Sequence, residues 1–255
     1  MYKEERQKII LDLVDKTRNV KVSDLAEKFK VSEMTIRRDL DVLENEGLVQ
    51  KTYGGAIAAA NLPLNNEVHM YDRMKLLATE KQHMANHIAR MITPGEMIFL
   101  GSGTTTTFIA KALTFRSDIT VVTNALTVME ELATNADMTV IGIGGFLRRN
   151  EYSFYGHFAD SILNDLRVDR VIMGMRGVHP DHGLTSDFPQ EMQTDRRILQ
   201  TSNNVIIAAD RTKIGYIATS VLAPLSAAKM IVTTAGVNET YIQRIRDKGI
   251  QVEIV

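Results

Sequence analysis

Gly101-Ser102-Gly103-Thr104-Thr105-Thr106 lies between an apolar stretch, Met97-Ile98-Phe99-Leu100, and a run with helical periodicity. Two glycines let the backbone come close to an anion, the start of a helix offers unpaired N–H groups and the positive end of its dipole, and the hydroxyls add donors. The chemistry of such a loop is to hold a phosphate. A tight turn with a threonine-capped helix is the simpler reading of the same residues. The stretch has neither the six-residue dinucleotide fingerprint nor the lysine of a nucleotide-triphosphate loop, which disfavours a nucleotide. Other apolar segments also end in polar groups: Thr123-Asn124, Gly144-Gly145 with Arg148 and Arg149 beyond, Arg176, and Asp210-Arg211-Thr212-Lys213. Ligands of open α/β sheets collect at the carboxyl ends of strands, and there Lys213 could reach a phosphate as a point charge. Each of these residues alone could be a cap, a surface ion pair or a loop residue. Their shared position carries the reading.

A second group of residues has the chemistry of a DNA reader. Between Val20 and Leu48 two short helical patterns are joined by a tight turn. The first starts at Ser23, a favourable N-cap, with Leu25, Ala26 and Phe29 on one side. The second opens at Ser32 and carries Ile36, Leu40, Leu43 and Gly47 along one stripe. Met34, Thr35, Arg37, Arg38 and Asp41 fall on the other faces, which presents a hydroxyl and two guanidiniums near a helix N-terminus, as a major groove requires. Glu33 and Arg37, at i and i+4, are spaced to pair and so to blunt Arg37 as a phosphate contact. Arg38 and Thr35 are therefore the stronger candidates. After Gly47, Leu-Val-Gln-Lys-Thr-Tyr-Gly-Gly-Ala reads as a strand, a turn and a return strand, a wing placing Lys51 and Tyr53 near phosphate. A helical domain used for protein contacts is the alternative. Residues 1–60 carry 11 Lys and Arg against 11 Asp and Glu, so DNA affinity must come from local placement of charge.

The elements that position both groups are legible as patterns. Glu4 to Lys16 is an amphipathic helix with Ile9, Ile10, Leu13 and Val14 inward, buttressing the helix pair. Residues 57 to 71 are small, polar and interrupted by Pro63, as a linker would be. Arg73 to Met91 is a helical run. Strands rich in Ile and Val then alternate with helical segments to the end, which implies βα units and a mostly parallel sheet covered on both faces. The expected organisation is a winged helix-turn-helix over 1–57, a linker over 58–71 and a second, α/β domain over 72–255. The chain has 255 residues, 44% of them hydrophobic, a net charge of -1 and no cysteine, which excludes disulfide and thiolate chemistry. Its start has no apolar signal core, and a cytoplasmic location without a membrane partner is expected.

At this point a resemblance is plain. Val31-Ser-Glu-Met-Thr-Ile-Arg-Arg-Asp-Leu and the residues following as far as Gly54-Gly55-Ala56 resemble the N-terminal signature of DeoR-family transcriptional regulators. Ile98 to Thr106, Val121 to Asn124, Gly144 to Arg149 with the later Ser153 to Gly156, His182 to Ser186 and Ala208 to Gly215 resemble that family's effector domain. The resemblance implies a sensing domain of sugar-phosphate-isomerase-like fold that binds a phosphorylated sugar or polyol. Carried over, Gly101, Ser102, Gly103, Thr104, Thr105, Thr106 and Lys213 would bind phosphate, with Thr123, Asn124, Gly145 and Arg148 lining the pocket. Arg176 departs from the family's usual small residue and, if it points inward, would recognise a second anionic group. Glu191 is carried as an acceptor for a sugar hydroxyl.

The expected function is a repressor of a carbohydrate or polyol catabolic operon, released from double-stranded operator DNA by a phosphorylated sugar-type metabolite. A homodimer or homotetramer is expected, because one helix reads too few base pairs. The DNA contacts would come from Ser32, Thr35, Arg37, Arg38, Lys51 and Tyr53. No cofactor, metal or catalytic residue is expected. His83 and His87 have zinc-compatible spacing but no third ligand, and His179 to His182 reads as a turn. The rival class is a sugar-phosphate isomerase-like enzyme with an accessory DNA-binding domain. Its general base would have to be Asp187 or Glu191.

Overall fold

The computed structural model describes residues 3–17, 19–45, 48–52, 54–58 and 70–255. Tyr53 and most of the expected linker lie outside these residues. Contacts divide the chain into two compact units, one up to Ala78 and one from Thr79 onward.

The first unit has helix α1 (Lys3–Thr17), strand β1 (Asn19–Lys21), helices α2 (Val22–Phe29) and α3 (Glu33–Asn45), strands β2 (Val49–Thr52) and β3 (Gly55–Ala58), and helix α4 (Met70–Lys75). Its core is the inward stripe of each helix: Ile10 and Val14, Leu25, and Ile36, Leu40 and Leu43, closed by Val22, Val49 and Ala56. Each such side chain contributes about 1.5–3 kcal/mol by leaving water. The N-cap expected at Ser23 is not used. Helix α2 starts two residues earlier, at Val22, capped by Lys21 without a side-chain bond, while the Ser23 hydroxyl donates to Asp24 Oδ1 at 2.9 Å. The reason is strand β1, which pairs with β3 so that the sheet runs β1-β3-β2 and fixes the entry to α2. Gly55 is required for that pairing, because a Cβ there would stand 1.9 Å from the Val20 carbonyl oxygen.

The single helical run expected from Arg73 to Met91 is two helices. The chain breaks at Leu77, whose φ of 51° is left-handed, before α5 (Ala78–Arg90). The second unit continues with β4 (Met97–Leu100), α6 (Thr104–Leu113), β5 (Thr120–Thr123), α7 (Leu126–Leu132), β6 (Thr139–Gly142), a hairpin of β7 (Phe146–Arg148) and β8 (Ser153–Tyr155), and α8 (His157–Asp165). Then come β9 (Arg170–Gly174), β10 (Gly177–His179), β11 (Gly183–Ser186), α9 (Met192–Gln200), β12 (Val205–Ala208), β13 (Ser220–Ala223), β14 (Met230–Thr233), α10 (Glu239–Arg246) and β15 (Gln251–Ile254).

Seven strands form a wholly parallel sheet in the order β15-β14-β12-β9-β4-β5-β6. The pleat sends alternate residues to opposite faces, each with its own core. Phe99, Val122, Val171 and Ile207 join one, and Ile98, Leu100, Val121, Ile172 and Ile206 the other. The order reverses at β4, which has β5 and β6 on one side and β9 on the other. That switch point places the loop after β4 at the carboxyl edge, where ligands of open α/β sheets bind. The antiparallel sheet β10-β11-β13 and the helix α9 are not visible in the alternation of the sequence. Among the described residues no helix is long and apolar enough to cross a membrane.

Candidate functional site

Helix α3 buries Ile36, Leu40 and Leu43 and exposes Met34, Arg37, Arg38 and Asp41. Its start is capped by Ser32, whose hydroxyl accepts from the Thr35 N–H at 3.2 Å and shares a hydrogen bond with the Thr35 hydroxyl at 2.9 Å. The expected pairing of Arg37 with Glu33 is present at 3.4 Å. Lys51 of the wing is ion-paired with Asp41 and is therefore not a free phosphate contact in this state. Among the described residues Arg38 forms no ion pair, which leaves it as the available guanidinium. One residue of this helix was not singled out by the sequence pattern: Asp39 is buried and accepts from Arg6 of α1 at 2.5 Å and from Gln7 Nε2 at 3.2 Å.

In the second unit the strand ends place Thr233 and Thr234, Asp210, Gly174, the Gly101–Thr106 loop, Thr123 and Asn124, and Gly145 in order along one edge. Gly103 is the N-cap of α6 with φ of 124°, a conformation that favours glycine. The N–H groups of Thr104, Thr105 and Thr106 open the helix and have no acceptor within it. The hydroxyls of Thr106 and Thr107 donate to the Gly103 carbonyl at 2.8 and 2.9 Å, so these two hold the loop's shape. Donors for an anion therefore come from the backbone and from Ser102, Thr104 and Thr105.

Lys213 lies beyond β12, its N–H donating to the Asp210 carbonyl at 2.9 Å. The buried Asp210 carboxyl is held below the usual range: burial raises it, but the charges of Lys213 and Lys81 and the bonds from Thr212 outweigh that. Lys81, 3% exposed on α5, was not foreseen. The signal was present, because Lys81 shares the inward stripe of α5 with Met84, Ala85 and Ile88. A lysine in an apolar stripe needs a partner.

The Thr123 hydroxyl accepts from the Ala125 N–H at 3.0 Å. Asn124 donates to the Phe154 carbonyl at 3.0 Å, while its buried Oδ1 has no partner among the described residues. Arg148 is ion-paired with Glu191, whose other oxygen accepts from Ser153. Burial raises the Glu191 carboxyl, opposed by Arg148 and Ser153. Asp195, one turn on, retains some exposure, but its crowded surroundings raise it well above the usual range, with the Glu191 charge adding. Arg176 is bound to Asp187 at 2.6 Å and so is not an unopposed cation for a second anionic group. Although burial raises Asp187, the bonds from Arg176 and Thr219 outweigh it and hold the carboxyl below the usual range, which makes it a weak base. His87 pairs with Glu253, and among the described residues no group of three potential ligands is placed to hold a metal.

Residues 77–235 match the DeoR C terminal sensor domain, and residues 6–61 match the DeoR-like helix-turn-helix domain. The chain belongs to the DeoR family. The glycerol-3-phosphate regulon repressor of Escherichia coli (strain K12) is 31% identical over 254 residues, which cover 100% of both chains. The transcriptional repressor AccR of Agrobacterium fabrum is 30% identical over 246 residues, 96% of this chain and 94% of its own. The DeoR sensor match spans the Gly-Ser-Gly loop, Arg148, Glu191 and Lys213, and the DeoR helix-turn-helix match spans Ser32 to Lys51, so both groups of residues lie in the parts that define the family.

Proposed function

We propose that the chain is a transcriptional repressor of a carbohydrate or polyol catabolic operon, released from operator DNA by a phosphorylated sugar or polyol. The observation that carries the effector half is the loop Gly101–Thr106 at the switch point of the parallel sheet, on the same carboxyl edge as the end of β12, where the charges of Lys81 and Lys213 act on Asp210. Helix N–H groups and ammonium charges suit a phosphomonoester. Names among the relatives, a glycerol-3-phosphate regulon repressor above all, support the same ligand class.

In the DNA half, Thr35 and Arg38 meet base edges or phosphate, and Ser32 and the wing position them. Homo-oligomerisation supplies the second half-site. The effector acts by binding the DNA-free arrangement more tightly than the DNA-bound one, since a ligand shifts an equilibrium only by its differential affinity. The domain division proposed is 1–57, a linker over 58–71 and 72–255, whereas contacts group α4 with the first unit.

Fluorescence anisotropy on DNA from upstream of the chain's own gene, at fixed salt, tests both halves. Specific binding released by a sugar or polyol phosphate but not by the unphosphorylated parent is expected. Tighter DNA binding with the effector present would reverse the sign of regulation.

A further inference from the structure

Among the described residues of the first unit, Met34 is the most exposed large apolar side chain, at 59%. A single exposed apolar residue is ordinary. Its company is what matters here. At about 100° per residue, Met34 falls nearly opposite the stripe of Ile36, Leu40 and Leu43 that α3 buries, so it stands where the helix projects farthest from its own core. Arg38 follows one turn later on the same face. Much of the remaining face is already engaged: Arg37 is paired with Glu33 at 3.4 Å, Asp41 is paired with Lys51, and the Thr35 hydroxyl shares a hydrogen bond with Ser32 at 2.9 Å. The open ground of the helix is therefore a thioether beside a guanidinium.

A major groove has an acceptor pair for the guanidinium, guanine O6 and N7, and one apolar feature, the C5 methyl of thymine. We infer that Met34 is a specificity-determining residue, its side chain packing on the methyl of a thymine one or two base steps from the guanine that Arg38 reads. The spacing follows from geometry. Residues at i and i+4 have Cβ atoms about 5–6 Å apart, and successive bases on a strand rise by about 3.4 Å. The unbranched, flexible methionine can follow a methyl over that range. The inference rests on the reading of α3 as the helix that enters the groove. It is distinguishable from hydrogen-bond readout, because thymine and uracil pair alike and differ only in the methyl.

The test enriches random duplexes on the full chain, at fixed salt, for the unsubstituted protein, Met34→Ala, Met34→Gln and Arg38→Ala. Each variant alters an exposed position, and melting temperatures check that each folds. The unsubstituted protein is expected to select half-sites with a thymine one or two steps from a guanine. Both Met34 variants should lose the thymine preference, and Arg38→Ala the guanine preference. Anisotropy on the selected duplex with uracil in place of that thymine should then show roughly two- to fivefold weaker binding by the unsubstituted protein, the effect of a methyl leaving water, and no change for Met34→Ala. A half-site without such a thymine, the same motif selected by the Met34 variants, or equal binding of thymine and uracil duplexes overturns the inference and leaves DNA recognition standing. If the unsubstituted protein enriches no motif, the reading of α3 falls and the inference falls with it.

Discussion

Arg148 and Glu191, 43 residues apart in the chain, are joined in a buried ion pair, and the guanidinium also lies 4.0 Å from the centre of the Phe188 ring. A ligand hydroxyl that reaches Glu191 therefore meets a carboxylate already held by an arginine and by Ser153. The pair fixes the hairpin of β7 and β8 to the start of α9, so the candidate site is assembled from segments distant in sequence.

The acids around this pair give a pH dependence. Asp195 is raised by its crowded surroundings, then by the charge of Glu191, so it binds a proton more tightly in the fold than in the unfolded chain. Its contribution is present below the ordinary carboxylate range and is lost as pH rises through the elevated folded value. Asp195→Asn cannot ionise. The melting temperature of the variant relative to the unsubstituted protein should improve from pH 4.5 to pH 8, and a difference independent of pH would show that Asp195 does not titrate in the fold.

Arg37 and Arg38 are neighbours with different expected effects. Arg37 already pairs with Glu33, whereas Arg38 makes no ion pair among the described residues. Arg38→Ala should weaken operator binding by about 1–3 kcal/mol, and Arg37→Ala by less. Anisotropy against salt separates the roles. A phosphate contact lowers the salt slope by about one, whereas a base contact relaxes specificity at one position.

Lys213→Ala and Lys81→Ala should each leave operator binding intact and abolish release by phosphorylated compounds. The buried Lys81 also compensates Asp210, so its variant should in addition lower the stability of the second unit. Normal induction in Lys213→Ala would remove that residue from the site.

Asp39→Ala should destabilise the DNA-binding unit by about 3–5 kcal/mol, because it strips the acid from a nearly buried Arg6 and leaves an uncompensated charge. Hydrogen exchange read over residues 3–58 is the measurement. The second unit should be unaffected, which distinguishes this effect from global unfolding.

Much of this molecule was determined by sequence alone because it is encoded over short spans. Stripes such as Ile36, Leu40 and Leu43, and apolar runs such as Ile98-Phe99-Leu100, declare a helix or a buried strand through local periodicity. The Gly-Ser-Gly loop between a strand and a helix is encoded locally in the same way, but that it stands at the switch point depends on the sheet order, in which β9 and β5 flank β4. The break at Leu77, the start of α2 at Val22 and the sheet β10-β11-β13 were not legible, because each depends on a partner segment. Strand β1 sets the entry to α2 only once β3 lies beside it. The same holds for the charges. Whether Asp39, Lys81, Arg148, Arg176 and Glu191 face solvent, ligand or one another depends on which helix faces meet. Only tertiary structure decided that Arg6, Asp210, Glu191 and Asp187 are the groups they meet, since a buried charge is tolerated only where another element brings its counter-charge.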